Sequence, residues 1–248
     1  MKHCYAIVGL MCLFSLSGLG QAKLFQGNWY VGTDVGIFSS QTRMIAGELT
    51  KYASGGSGVM PMYGIKIGKV INPFVSVETG VYSLPINLVY IYQTNRVVGT
   101  NSMQFMSFPL RANWRVRVFH DQLEAHLGGG LQYVWGSNQL PQQFFNGVVT
   151  SRGHTWTDSL VYTGSAGIVR QHSINAEATV SFNWAMSRRW TLSVYARQMM
   201  GMMNIAHVDI AIKNNQEPTE NAQFVSRGAG FNTGIGIRYN LSPKRRIK

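Results

Sequence analysis

The sequence predicts an all-β chain, an eight-stranded antiparallel up-and-down transmembrane β-barrel with short periplasmic turns and four longer external loops. Three observations predict it. Apolar and polar residues alternate with a period of two in eight separate segments. The connections between those segments alternate between short and long, as in barrels that span a membrane. Charged residues make up only 13% of the 248, against 45% hydrophobic, with 27 glycines and 12% aromatics. That charge content is about half the usual share of soluble domains, which argues against a cytosolic enzyme with a richly charged surface. The hydrophobic content argues against a disordered chain. Beyond the first residues, no apolar run approaches the ~20 residues of a spanning helix, so a helical membrane protein is excluded.

Each segment sets an apolar face against a small or polar one. The first, 28–38, places Trp29, Val31, Val35 and Ile37 opposite Asn28, Gly32, Asp34 and Gly36. The second, 59–70, places Val59, Tyr63, Ile65 and Ile67 opposite Gly64, Lys66 and Gly68, and the third, 74–84, places Val75, Val77 and Val81 opposite Ser76, Glu78 and Gly80. In the fourth, 103–118, Met106, Phe108, Leu110 and Trp114 face away from Ser107, Arg111, Asn113, Arg115 and Arg117. Pro109 removes a ladder donor there, which predicts a bulge. The fifth, 123–135, separates Leu127, Leu131, Tyr133 and Trp135 from Glu124, His126 and the glycines. The sixth, 173–186, separates Ile174, Val180, Phe182 and Trp184 from Asn175, Glu177 and Asn183. The seventh, 190–203, sets Trp190, Leu192 and Val194 against Ser193, Tyr195 and Arg197, and the eighth, 225–241, sets Phe231, Ile235, Ile237 and Tyr239 against Asn232, Gly236 and Arg238. Short turns fall near Asn72-Pro73, His120-Asp121 and 187–189, and long loops near 39–58, 85–102, 136–172 and 204–224; the third loop is long enough for an extra hairpin.

The chain divides into a cleaved signal peptide at 1–22, a barrel domain at 23–241 and a basic periplasmic tail at 242–248. Residues 6–20 are mostly apolar, and Gly20-Gln21-Ala22 puts small residues where a secretory signal is cut. Both cysteines, Cys4 and Cys12, lie in that leader, so the exported chain has no disulfide, thiolate metal site or cysteine nucleophile. The formal charge is +12. Export turns that charge away from nucleic acid and toward outer-membrane lipid and lipopolysaccharide phosphate, with an envelope protein as a further partner.

The polar faces converge on a narrow lumen. Asp34, Glu78, Glu124 and Glu177 are four of only ten acidic residues, and they meet Lys66, Arg111, Arg115, Arg117, Arg197 and Arg238, with His126 among them. Isolated buried charges are prohibitive, so these groups should pair. Strand parity sets Arg117 opposite Glu124, Arg115 opposite His126, Lys66 opposite Glu78, and Glu177 opposite Met199 and diagonal to Arg197. An eight-stranded barrel is only wide enough for its own side chains, so the expectation is a lumen plugged by an ionic network. Trp29, Trp114, Trp135, Trp184, Trp190 and Tyr239 fall near strand ends, as an interfacial aromatic girdle requires.

The leader, the eight segments and the ending Gly234-Ile235-Gly236-Ile237-Arg238-Tyr239-Asn240-Leu241 together resemble the small outer-membrane β-barrel family of Gram-negative bacteria. The likeness is to the OmpA/OmpX type and to the Bacteroidetes outer-membrane-barrel or porin-family domain. It implies a location in the cell outer membrane and an assembly signal in the last strand. In that family the last strand usually ends the chain at an aromatic; here Asn240, Leu241 and seven more residues follow Tyr239.

Gly27-Asn28-Trp29 also resembles the opening of lipocalins, but those soluble barrels turn their apolar face inward around a ligand. Three functions suit the barrel: a non-enzymatic anchor presenting its loops for adhesion or partner binding, a narrow porin-like channel, or an accessory subunit of an envelope secretion or assembly complex. Lipid A deacylases of similar size use a His-x-Ser pair. Here His172 and Ser173 are adjacent and would point to opposite faces of a strand. His126 is followed by Gly128 at that spacing, His207 and Asp209 share a face without a nucleophile, and His154 sits in a polar loop. The expectation is no enzyme. Met199, Met200, Met202 and Met203 are soft enough for copper(I), yet packing is the commoner use of methionine. No metal and no cofactor is expected.

Overall fold

The structure is a computed structural model, and it describes residues 29–47, 53–92, 97–119, 122–136, 143–152, 157–187, 189–214 and 219–241. The leader, the tail 242–248, the turn residues His120 and Asp121, and His154 lie outside them.

Among the described residues fourteen strands are formed, in two sets. Eight close the barrel: β1 (Trp29–Gln41), β4 (Ser57–Val70), β5 (Val75–Tyr92), β6 (Val97–Phe119), β7 (Leu123–Gly136), β10 (His172–Ala185), β11 (Trp190–Gly201) and β14 (Gly230–Asn240). Each is antiparallel to its neighbours, and β1 pairs with both β4 and β14, so the ring has no edge. The Leu241 N–H donates to the Trp29 carbonyl at 2.9 Å, holding the two chain ends of the barrel together at the short-turn end. Two described short turns are built by side chains. Asn72 Oδ1 accepts from the Phe74 and Val75 N–H groups at 2.8 Å each, and Ser187 Oγ accepts from Arg189 and Trp190.

The register follows the parity expected for most pairs. Arg117 stands opposite Glu124, Arg115 opposite His126, and Glu177 opposite Met199. The β4–β5 turn differs. Lys66 pairs with Gly80, and Glu78 with Gly68, because residues 71–74 form a turn longer than the three residues expected, displacing the register by two. Both side chains still point inward, and Lys66 reaches Asp34 instead. Pro109 causes no bulge: its ladder to β7 is in register opposite Gln132, and on the β5 side the pairing lapses between Leu110 and Ser107 and resumes unshifted. The Pro109 carbonyl is taken up by the Thr79 hydroxyl at 2.8 Å. The irregularity of β6 falls near its end instead, between Arg117 and Phe119.

The four expected long loops are largely strands. β5 and β6 run on as a hairpin to Tyr92 and from Val97, and β3 (Ala53–Gly55) pairs with the end of β5. The other long connections supply β2 (Arg43–Gly47), β8 (Gln143–Arg152), β9 (Thr157–Ile168), β12 (Ala206–Asn214) and β13 (Glu220–Ser226), which form a second sheet in the order β2-β13-β12-β9-β8. The hairpin expected in the third loop is β8–β9. This sheet packs on the β5–β6 extension through one apolar core that includes Leu84, Ile86, Leu88, Tyr90, Val208, Ile210 and Phe224.

The polarity of a single strand inverts where the barrel gives way to this extension. Along β6, outward Trp114, Leu110, Phe108 and Met106 are succeeded by outward Gln104 and Ser102. Inward Arg115, Asn113, Arg111 and Ser107 are succeeded by inward Phe105 and Met103. The lower barrel is thus apolar outside and polar inside, and the extension the reverse.

Inward aromatic rings lie across glycines on the adjacent strand. Tyr82 covers Gly64 and Tyr30 covers Gly68, each directly opposite, and a Cβ on either glycine would collide with the ring. The barrel is narrow, and these glycines make room for tyrosines that reach its axis.

Candidate functional site

The lower lumen is filled by ionised groups from every barrel strand. Asp34 on β1 pairs with Lys66 on β4 at 2.7 Å and with Arg197 on β11. Arg111 on β6 lies at the centre. Its Nε and Nη2 donate to the two oxygens of Glu177 on β10 at 2.8 and 3.1 Å, and its Nη1 donates to Glu78 on β5 at 3.0 Å. The Tyr82 hydroxyl accepts from Arg111 at 3.0 Å and donates to Asp34 at 2.8 Å, joining the two pairs. The Tyr30 hydroxyl donates to Glu78 at 3.2 Å. A bidentate guanidinium–carboxylate pair is the strongest and most directional of such contacts, and here it crosses the lumen between strands that are not neighbours.

A second tier lies nearer the short turns. Arg115 Nη2 donates to both oxygens of Glu124 at 2.8 and 2.9 Å, and His126 Nε2 lies 3.1 Å from the same carboxylate. Arg117 is half-buried beside it, and Arg238 donates to Asn183 beneath the Tyr30 ring. All eleven residues expected in the lumen therefore point inward; Arg117 and Glu124 are half-buried and the other nine buried. Three tyrosines complete the network. Tyr30, Tyr82 and Tyr195 share the strand parity of Asp34, Glu78 and Arg197, but the sequence reading placed only Tyr195 on the polar face; continuing the same alternation would have found the other two.

The aromatic positions sort by height. Trp29, Trp114, Trp184, Trp190 and Tyr239 stand on the outer surface near the short-turn end, and Trp135 near the other, beside His172. Lys69 lies over the Trp29 ring and Arg189 donates to the Tyr239 hydroxyl at 2.8 Å, so both cations sit at the rim with their aromatics.

The remaining candidates do not assemble a catalytic centre among the described residues. His172 is exposed and Ser173 buried, on opposite faces. His207 Nε2 is 3.2 Å from Asp209 on the outer face of the second sheet, and Gln223 donates to that carboxylate at 2.7 Å. Met199 is in the apolar core while Met200, Met202 and Met203 are exposed, so the four do not converge on one point. No group of three or more His, Cys, Asp or Glu side chains is arranged to hold a metal among the described residues.

In the extension, burial pushes the Tyr90 phenol up to about 12, leaving it a protonated donor to Asn101 at 3.2 Å. The outer face of the second sheet carries Phe144, Thr163, Asp209 and Asn221 around a shallow depression, and Val148 stands exposed on β8. β8 ends that sheet and has no strand partner on its far side among the described residues.

No protein-family profile and no curated protein sequence matches the chain. Solved structures do. The chain is similar over 88% of its length, and 97% of the other, to the outer membrane protein OprG from Pseudomonas aeruginosa, at 12% identity and a TM-score of 0.54. It is also similar to AlkL, an outer membrane protein solved in lipid bilayers (11% identity, 92% of this chain and 96% of that, TM-score 0.45), and to Neisserial surface protein A (15%, 86% and 97%, 0.40). The fold is that of a small outer-membrane β-barrel.

Proposed function

We propose that the protein is a non-enzymatic integral protein of the Gram-negative outer membrane, closed to ions, whose working part is the external sheet. The observation that supports this most is the inversion of polarity along β6. An outer face that changes from Trp114, Leu110 and Phe108 to Gln104 and Ser102 leaves an apolar medium for water at that height. Barrel strands of 11–14 residues, β1, β4, β7, β10, β11 and β14, meet or exceed the ~9–11 that a tilted strand needs to cross a bilayer. Below that height the ionic network plugs the lumen, and above it the apolar core does. The surface left for interaction is the outer face of the second sheet and its β8 edge, unpaired among the described residues, which suits a strand or a flat surface of an envelope partner. Lipid and lipopolysaccharide phosphate contact the rim cations.

The test is made on protein purified from an outer-membrane fraction. An inserted barrel resists SDS until boiled and migrates at two mobilities, and it gives no conductance steps in planar bilayers. Ohmic steps would instead establish the narrow channel. A wall whose β4–β5 ladder ends at Gly64 and Tyr82 favours a second function, passage of small apolar solutes that leave through that wall, which requires the apolar core above the network to open. Uptake of such a solute into vesicles, without conductance, would decide for it.

A further inference from the structure

The five buried cations of the lumen, Lys66, Arg111, Arg115, Arg197 and Arg238, outnumber its four carboxylates by one. Asp34 answers Lys66 and Arg197, Glu78 and Glu177 answer Arg111, and Glu124 answers Arg115. Arg238 is left over. It is 7% exposed, and among the described residues no carboxylate lies within salt-bridge distance of it. It donates to Asn183 and lies under the Tyr30 ring, and its Nε has no hydrogen-bond partner. An unpaired guanidinium at such a depth is unfavourable unless something negative accompanies it.

The space for a companion is present. Arg238 lines an enclosed cavity of about 10 Å³ between the two ionic tiers, with Lys66, Asn183, Ser181 and His126 on its wall. That is room for one species of about the size of a water molecule. Asn183 donates to Ser181 Oγ, which leaves the Ser181 hydroxyl proton free to point into the cavity. Glu78 also lines the space, but it is engaged by Arg111 at 3.0 Å. With Arg197, the wall thus offers three cations and a hydroxyl donor against one neutralised carboxylate.

We propose that this cavity is a binding site for one small monatomic anion such as chloride, held by Arg238 with Lys66 and Arg197 beside it, which completes the charge balance of the buried groups. The anion belongs to the folded barrel as a buried counter-ion, and by linkage it stabilises the fold in proportion to its concentration.

The experiment uses the full folded protein in detergent and follows the temperature at which the compact form is lost. Sodium chloride is compared with sodium gluconate at equal ionic strength, because gluconate is too large for the cavity. The expected result is a higher midpoint in chloride that rises with concentration, and no difference between the salts in Arg238→Gln. Arg189→Gln, at the outer rim, keeps the chloride effect. Equal midpoints in the two salts for the native protein, as for a cavity that holds only water, would overturn the proposal, as would a chloride effect that survives in Arg238→Gln. Should that variant not fold, crystals grown in bromide give the answer. An anomalous peak between Arg238 and Lys66 supports the site, and its absence there removes it.

Discussion

Replacing Arg111 with alanine would take the closest cation from two carboxylates at once, since Glu177 takes two of its donors and Glu78 a third. Removing one member of a buried pair typically costs about 3–5 kcal/mol, because the remaining charge stays desolvated. Arg111→Ala should therefore lower the midpoint of urea unfolding in lipid vesicles by that amount, read by tryptophan fluorescence. An unchanged midpoint would mean that water fills this part of the lumen. Gly228 carries a different constraint. It joins β13 to β14 with φ at 68° and its N–H and carbonyl are held by Ser226 and Asn175. A side chain in that left-handed conformation costs roughly 1–2 kcal/mol, and Gly228→Ala should destabilise by about that much in the same assay. Asp34, Glu78 and Glu177 were legible in the sequence as inward charges, and so was Arg197 as a neighbour of Glu177, but the meeting of Arg111 with Glu78 and Glu177 was not. Lys66 was expected on Glu78 and found on Asp34 because Asn72 builds a longer turn than its neighbours suggest.

At the scale of the strand, equal exposure does not mean equal surroundings. Leu110 in β6 and Val148 in β8 are each 61% exposed. Leu110 stands midway up the apolar outer face of the barrel, and Val148 stands on the external sheet. An arginine at the midplane of a barrel's lipid face costs about 2–4 kcal/mol, whereas a surface substitution in water stays within about 0.5 kcal/mol. Leu110→Arg should lose stability by the larger amount in vesicles and Val148→Arg by no more than the smaller. Similar losses for both would contradict insertion at the proposed height. The extension also shows why four strand-rich regions looked like loops. In β5 the apolar residues change sides, from outward Val75, Val77 and Val81 to inward Leu84, Ile86 and Leu88. A pattern sought as apolar-out ends at residue 84, although the alternation itself continues. The same holds for Val208, Ile210 and Ile212 in β12, which alternate inside a segment expected to be a loop.

Across the whole molecule, two compartments share one set of strands. The lower barrel owes its stability to closure, interstrand hydrogen bonds and paired charges, and the upper sandwich to an apolar core of the soluble kind. Deleting the β8–β9 hairpin should therefore leave the heat-modifiable barrel intact while weakening the sandwich, seen as selective proteolysis at the external end of otherwise SDS-resistant protein. Loss of SDS resistance in that deletion would show instead that the two compartments fold as one unit. The sequence by itself determined the eight barrel strands, their faces, the short-turn end and the inward charges, because strand parity is local and a strand in an apolar medium must show it. Only the tertiary structure decided which charges meet, that the external connections join into a second sheet, and that the core moves from outside to inside partway up. Those depend on turn length, on contacts between strands far apart in the chain, and on which side of the wall is wet.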